Sequence, residues 1–202
     1  MSEITSVVFD LGNVLIDWNP RYLYRKFFSN ETEMEWFLKN ICNDDWNNKH
    51  DAGESFSNSI PELCRLYPEF TDLIKIWFDR WEEMLGGKIE ETVEILSELK
   101  NNGTPLYILS NWSAETFPKA EVKYDFLKWF QGKIISGQVG KVKPDFEIFY
   151  ILSNTYNINP KNTVFIDDKF ENINAAKLIG YHVIHYKNAI LLRSELKELK
   201  IL

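Results

Sequence analysis

Cysteine is nearly absent from this chain of 202 residues, with only Cys42 and Cys64 present. Their spacing fits neither a zinc site nor a disulfide framework, so both read as free thiols of a cytoplasmic protein. Long apolar runs are missing too, and the longest falls far short of the roughly 20 residues a membrane span needs. Basic residues are the minority charge, 23 Lys and Arg against 30 Asp and Glu, for a formal net charge of −7. That balance leaves no basic patch for nucleic acid and repels polyanions on average. A local site can still oppose the overall field and hold a single phosphate. No internal repeat and no low-complexity tract occurs. The first residues already read as a strand, so no signal peptide is expected.

What is present is apolar and periodic. With 45% hydrophobic side chains, the chain can bury a substantial core, as one domain with an insertion or as two. Four short apolar segments read as buried strands, at residues 7–10, 105–110, 163–167 and 181–185. Three have near-continuous apolar centres, as parallel strands covered on both faces require. Helical patterns lie between them. Ile89, Val93, Leu96 and Leu99 recur at helical spacing before Asn101-Asn102-Gly103 stops the helix. Phe146, Phe149, Tyr150 and Ser153 mark another, with Pro144 placed for its first turn. Ala175, Ala176 and Ile179 line a third, ended by Gly180. Strands alternating with helices imply an α/β fold with a doubly wound parallel sheet.

The interval from residue 19 to 85 breaks that alternation. Met34, Phe37, Leu38 and Ile41 form one amphipathic pattern; Ile74, Trp77, Phe78, Trp81 and Leu85 form another. Between them Ser59-Ile60-Pro61-Glu62 has the spacing of a capping box opening a third helix. The expected organisation is a core of residues 1–18 and 86–202 with an α-helical insertion over 19–85, returning through Gly86-Gly87. Trp18, Trp36, Trp46, Trp77 and Trp81 fall in or beside this insertion and are expected mostly as its core, with one or two on a ligand pocket.

In an open parallel sheet, ligands bind beyond the carboxyl ends of the strands. Polar residues collect there. The first strand ends at Asp10, the second at Ser110-Asn111, the third at Asp167-Asp168, and Lys143 stands just ahead of the helix after Pro144. Singly, Asp10 reads as a turn cap, Ser110 and Asn111 as helix caps, and Lys143 as a solvated lysine. Adjacent acids at a buried strand end, however, repel unless a cation offsets them. The four elements together fit phosphoryl transfer. Asp10 is the candidate nucleophile, forming an aspartyl-phosphate. Mg²⁺ lets carboxylate and phosphate approach, with Asp10, Asp168 and a backbone carbonyl at Gly12 as ligands. Ser110, amides near Asn111, and Lys143 would hold the phosphoryl oxygens.

The ordered set FDLGNV, LSN, GKVKPD and FIDDKFEN resembles the four motifs of the haloacid dehalogenase superfamily, over nearly the whole chain. Within it the pattern is similar to that of small bacterial sugar-phosphate phosphatases. The resemblance implies a Rossmann-like core with a helical cap. It also implies Asp10 as nucleophile and metal ligand, Ser110, Asn111 and Lys143 on phosphate, and Asp168 on the metal. Asp167 then acts through a metal-bound water or by holding Lys143.

One position departs from the family. Its phosphatases read DxDG, the second Asp serving as general acid and base, whereas this chain has Gly12. Losing such a group costs on the order of 10² to 10⁴ in rate unless the leaving group is good, as in a sugar 1-phosphate. Otherwise another residue supplies the proton, with His50 the first candidate and Asp17 the second. The leading expectation is a Mg²⁺-dependent phosphatase of a small phosphorylated metabolite, without nucleic-acid or membrane partners. A metal-independent 2-haloacid dehalogenase and a non-catalytic phosphate-binding module are the alternatives.

Overall fold

Residues 3–202 are described by a computed structural model. The chain runs from β1 (Ser6–Phe9) through a ribbon strand, β2 (Ile16–Trp18), into five helices. These are α1 (Arg21–Tyr24), α2 (Glu31–Asn40), α3 (Asp44–Asp51), α4 (Phe56–Leu66) and α5 (Thr71–Asp79). The return strand β3 (Leu85–Lys88) pairs antiparallel with β2. Alternation then begins with α6 (Glu90–Asn101), β4 (Leu106–Ser110), α7 (Phe117–Lys123), β5 (Gly132–Ile135) and α8 (Ser136–Val139). It finishes with α9 (Phe146–Tyr156), β6 (Thr163–Asp167), α10 (Phe170–Ile179), β7 (His182–His185) and α11 (Ala189–Glu198).

Five strands form one parallel sheet in the order β5-β4-β1-β6-β7. Successive strand residues face opposite sides, and both sides are apolar. Val7, Phe9, Ile108 and Ile166 join Leu96 and Leu99 of α6 and Leu192 and Leu196 of α11 in one cluster. Val8, Leu109 and Phe165 join Phe149 and Leu152 of α9 and Ala176 of α10 in the other. The expected doubly wound α/β sheet is present. β1 lies at its centre, flanked by β4 and β6, so the winding reverses beside Asp10. That reversal opens the crevice in which such sheets bind ligands.

The sheet has one strand more than the sequence pattern showed. β5 offers only Ile134 and Ile135 as buried hydrophobics, too short a run to mark an edge strand. The helical insertion also differs in detail. α4 begins at Phe56, its N-cap Ser55 accepting from the Ser57 amide, and Pro61 lies inside it rather than at its start. Ser59 is no cap; it is buried with its hydroxyl on His50. Trp81 and Leu85 lie beyond α5, in a 3₁₀ turn and in β3. Pro144 precedes the Asp145 N-cap of α9 instead of occupying its first turn. The cluster on the first face of the sheet continues into the insertion through Tyr24, Phe37 and Trp77. Among the described residues no helix is long and apolar enough to cross a membrane. Both cysteines are free.

The loop after β4 is clamped by α8. The Ser136 hydroxyl accepts from the Trp112 amide at 2.9 Å, and the Gly137 amide donates to the Trp112 carbonyl at 3.1 Å. A Cβ at Gly137 would sit 2.5 Å from the Ala114 nitrogen and 2.8 Å from the Trp112 oxygen. Both neighbours are backbone and cannot yield cheaply. Gly137→Ala is therefore expected to lose roughly 1–3 kcal/mol of stability by overpacking. Urea denaturation checks this, and an unchanged midpoint would mean the two segments separate freely.

Candidate active site

Strand ends are rigid, and three of them place the polar residues of the crevice. Asp10 follows β1, while Ser110 and Asp167 are the last residues of β4 and β6. Beyond Asp10 the chain turns back sharply. The amides of Leu15 and Ile16 both reach the Leu11 carbonyl at 2.9 Å, and Asn13 takes a left-handed φ of 56°. Asparagine tolerates that conformation better than most residues.

A buried ammonium joins the strand ends. Lys143 Nζ donates to Asp167 Oδ2 at 2.6 Å and to the Leu109 carbonyl at 2.8 Å, and lies 3.1 Å from Asp10 Oδ1. Its side chain is fully buried. Burial alone would lower the lysine pKa, but Asp10 and Asp167 outweigh it and hold the pKa above the usual range. The Lys143 backbone is fixed as well. Its amide donates to Asn111 Oδ1 at 2.8 Å, and Asn111 Nδ2 returns a bond to its carbonyl at 2.9 Å.

The two oxygens of Asp10 are not equivalent. Oδ1 accepts from the Leu11 amide at 2.7 Å and the Ser110 hydroxyl at 2.7 Å, beside the Lys143 ammonium. Oδ2 accepts no hydrogen bond among the described residues. Burial raises the Asp10 carboxyl, with Lys143 opposing and Asp167 adding to the rise. Asp167 is saturated by contrast. It accepts from Lys143, from the Lys169 amide at 2.8 Å, and from Asn172 Nδ2 at 3.0 Å to each oxygen. Carboxylate oxygens of Asp10, Asp167 and Asp168 lie within 4.8 Å of one another. Burial, then Asp10, raises the Asp168 carboxyl. Lys143 and Lys169 together face three acids, so negative charge stays in excess, which is the environment a divalent cation needs.

The crevice opens into a cavity of about 450 Å³ lined on the sheet side by Asp10, Gly12, Asn111, Lys143 and Asp168. The insertion contributes Asp44, Asn47, Asn48, Asp51 and Phe56, and aromatic walls come from Trp18, Trp81 and Trp112. Of the five tryptophans expected mostly as core, Trp46 and Trp77 are buried there, Trp18 and Trp81 reach the cavity, and Trp36 is half exposed.

His50 is brought elsewhere, and its candidacy as proton donor is corrected. The ring is fully buried inside the insertion, stacked on Phe56 with centroids 3.7 Å apart. Nδ1 meets the Glu54 carbonyl at 3.0 Å and Nε2 the Ser59 hydroxyl at 3.1 Å, so neither nitrogen is spare. Burial also lowers its pKa. Asp17 is likewise outside the cavity lining, on β2, accepting from the Tyr22 hydroxyl at 2.7 Å. The sequence reading missed Asn172, which orients Asp167, and Asp51, which faces the crevice from the insertion. Asn172 lies five residues after Asp167, and a helix following a strand end is where such a signal could have been sought.

A family model described as haloacid dehalogenase-like hydrolase matches residues 7–186. The chain belongs to that family. Among curated proteins it is 25% identical to a sesquiterpene phosphatase of Aspergillus oryzae, over 96% of this chain and 95% of that protein. It is 21% identical to a D-ribitol-5-phosphate phosphatase of Bacteroides thetaiotaomicron, over 96% and 97%. Among solved structures it resembles a haloacid dehalogenase family enzyme of Bacteroides thetaiotaomicron in complex with magnesium and inorganic phosphate. The TM-score there is 0.66 at 20% identity, covering 92% of this chain and 95% of that one. At that identity the likeness shows the fold.

Removing the central cation gives a testable signature. Lys143→Met leaves the buried Asp10 without its counter-charge, at an expected cost of roughly 3–5 kcal/mol at pH 7. The Asp10 carboxyl, already raised, rises further, so protonation should recover part of the loss as pH falls. In the native protein Lys143 contributes stability that is complete below its unfolded pKa and lost only as pH rises through the higher folded value. Metal-free denaturation of both proteins between pH 4 and 8 checks this. A pH-independent difference would contradict the ion-cluster reading.

Proposed function

We propose that this hydrolase is a Mg²⁺-dependent phosphatase of a small hydroxylated metabolite, a sugar phosphate in type, acting through an aspartyl-phosphate on Asp10. The observation that carries the reading is the asymmetry of Asp10. Oδ1 is oriented by three donors while Oδ2 has none, so the carboxylate keeps free capacity for the metal and for attack on phosphorus. Lys143 neutralises the nucleophile's strand end and stands beside the oxygens on which charge develops. Ser110 and Asn111 support that arrangement indirectly, one orienting Asp10 and the other fixing Lys143. Both are assigned as positioning residues, with backbone amides after β4 left to meet phosphate.

Asp10, Asp168 and the Gly12 carbonyl would hold Mg²⁺, which when bound offsets the repulsion between carboxylates and phosphate and polarises the phosphoryl group. Asp167 is assigned to holding Lys143, because both its oxygens already have protein donors. A metal-independent dehalogenase would gain nothing from the uncompensated acid Asp168. Relatives act on a sesquiterpene and on ribitol 5-phosphate by name, so leaving groups of opposite polarity are open by descent. The lining of the insertion supports the polar one. Asn47, Asn48 and Asp44 line the same cavity as Asp10, and they offer hydrogen bonds that a hydroxylated leaving group can use and an apolar one cannot. Trp18, Trp81 and Trp112 offer faces on which the C–H side of a sugar can rest.

Phosphate release from sugar phosphates, ribitol 5-phosphate and a prenyl phosphate, with Mg²⁺ and with EDTA, tests the proposal. Mg²⁺-dependent turnover favouring the polyol esters is expected. Asp10→Asn should fold normally and lose activity by at least about 10³-fold, since the amide is a poor nucleophile. Near-native release by the folded variant would remove the mechanism.

A further inference from the structure

Gly12 leaves the turn after β1 without the carboxylate that would move protons, and nothing from the core fills the place. A Cβ built at Gly12 meets no atom within 4 Å. We propose that Asp51, the last residue of α3, is the general acid and base of the reaction, delivered across the cavity by the helical insertion. The inference rests on the phosphatase reading and adds to it the group that protonates the leaving oxygen.

Asp51 lines the same cavity as Asp10, Gly12, Lys143 and Asp168. Its neighbours leave the carboxyl available. Asn47 Nδ2 donates weakly at 3.3 Å, the Ser113 amide faces it, and no ammonium or guanidinium lies within salt-bridge distance among the described residues. The charged groups around it are Lys169, Asp10 and Lys143. Burial lifts its pKa to about 7, Asp10 adds to the rise, and the two lysines oppose it. A carboxyl poised there can give and take a proton near neutrality. The other acids of the cavity are poorer candidates. Asp44 and Glu171 are exposed, and Asp168 is assigned to the metal.

The position is held by packing. α3 rests on α8, and Gly53 approaches Gly137 so closely that its missing Cβ would lie 3.3 Å from the Gly137 carbonyl. Gly53 also takes a φ of 102°, open to glycine. The segment just after Asp51 is thereby docked on α8, the helix that clamps Trp112.

In the first step an Asp10 carboxylate oxygen bonds to phosphorus and the bond from phosphorus to the ester oxygen breaks. That oxygen keeps the electron pair and takes the proton of the Asp51 carboxyl, leaving as an alcohol. In the second step water adds its oxygen to phosphorus and gives one proton to the Asp51 carboxylate. The bond from phosphorus to Asp10 breaks, its electrons return to the Asp10 carboxylate, and phosphate departs. Both residues end as they began.

Phenyl phosphate and 4-nitrophenyl phosphate have nearly the same shape and differ in how much their leaving oxygens need a proton. kcat/KM reports the chemistry through leaving-group departure, so it isolates the first step. Asp51→Asn is expected to lose about 10²-fold or more in kcat/KM on phenyl phosphate and at most about tenfold on 4-nitrophenyl phosphate. The nitrophenyl ester should also give a burst of nitrophenol, because hydrolysis of the aspartyl-phosphate has lost its base. Gly12→Asp placed in the Asp51→Asn background should restore phenyl phosphate turnover, since the space beside Gly12 is open. Equal losses on both esters, or none, overturn the assignment of Asp51 while leaving the phosphatase reading intact. Absence of Mg²⁺-dependent phosphate release by the native enzyme from these esters and from the sugar phosphates alike overturns that reading, and this inference with it.

Discussion

Everything at the carboxyl edge of the sheet depends on one buried ammonium. Lys143 has no contact with bulk water and spends its donors on Asp167, the Leu109 carbonyl and Asp10. An unpaired charge at that depth would cost several kcal/mol, so the lysine needs acid partners there, Asp167 at 2.6 Å and Asp10 at 3.1 Å. Their assembly fixes the ends of β1, β4 and β6 relative to the loop before α9. The same cluster is deliberately short of positive charge. Among the described residues Asp168 makes no salt bridge, and the open Oδ2 of Asp10 has no donor. That deficit is what the proposed metal and phosphate chemistry requires.

A second constraint is geometric. Asp10 sits where the winding of the sheet reverses, and the helical insertion leaves and returns through β2 and β3 immediately beside it. The insertion shares a continuous apolar cluster with the sheet, so its polar residues are presented to the crevice by packing rather than by tethering. The division of labour is clear in the lining. The core supplies Asp10, Lys143, Asp168, Trp18 and Trp112, and the insertion supplies Asp44, Asn47, Asn48, Asp51, Phe56 and Trp81.

Legibility in the sequence tracked how local each signal was. β1, β4 and β6 are near-continuous apolar runs and were readable. β5 carries only two buried isoleucines on an edge and was not. Asp10, Lys143 and Asp168 stand beside strand or helix boundaries that motif order makes visible, and the structure gathers them. Asp167 was visible too, but its role depends on Asn172, one turn into α10. The Ser59 capping pattern misled, because its hydroxyl serves His50 inside the insertion. His50 attracted attention as a titratable residue in a polar stretch. Asp51, its neighbour in sequence, points to the cavity instead, and only the packing of α3 on α8 tells the two apart. A helix with polar residues at most positions carries little record of which face meets a ligand.

The most direct measurement is capture of the covalent intermediate. The enzyme is mixed with substrate and Mg²⁺, quenched in acid, and reduced with borohydride, which converts an acyl phosphate to an alcohol. Peptide mass spectrometry then reads the site. The account predicts homoserine in place of Asp10 in a substrate-dependent fraction, with Asp167 and Asp168 unmodified. Rapid turnover with no reduction at Asp10, or reduction at another carboxylate, would contradict it.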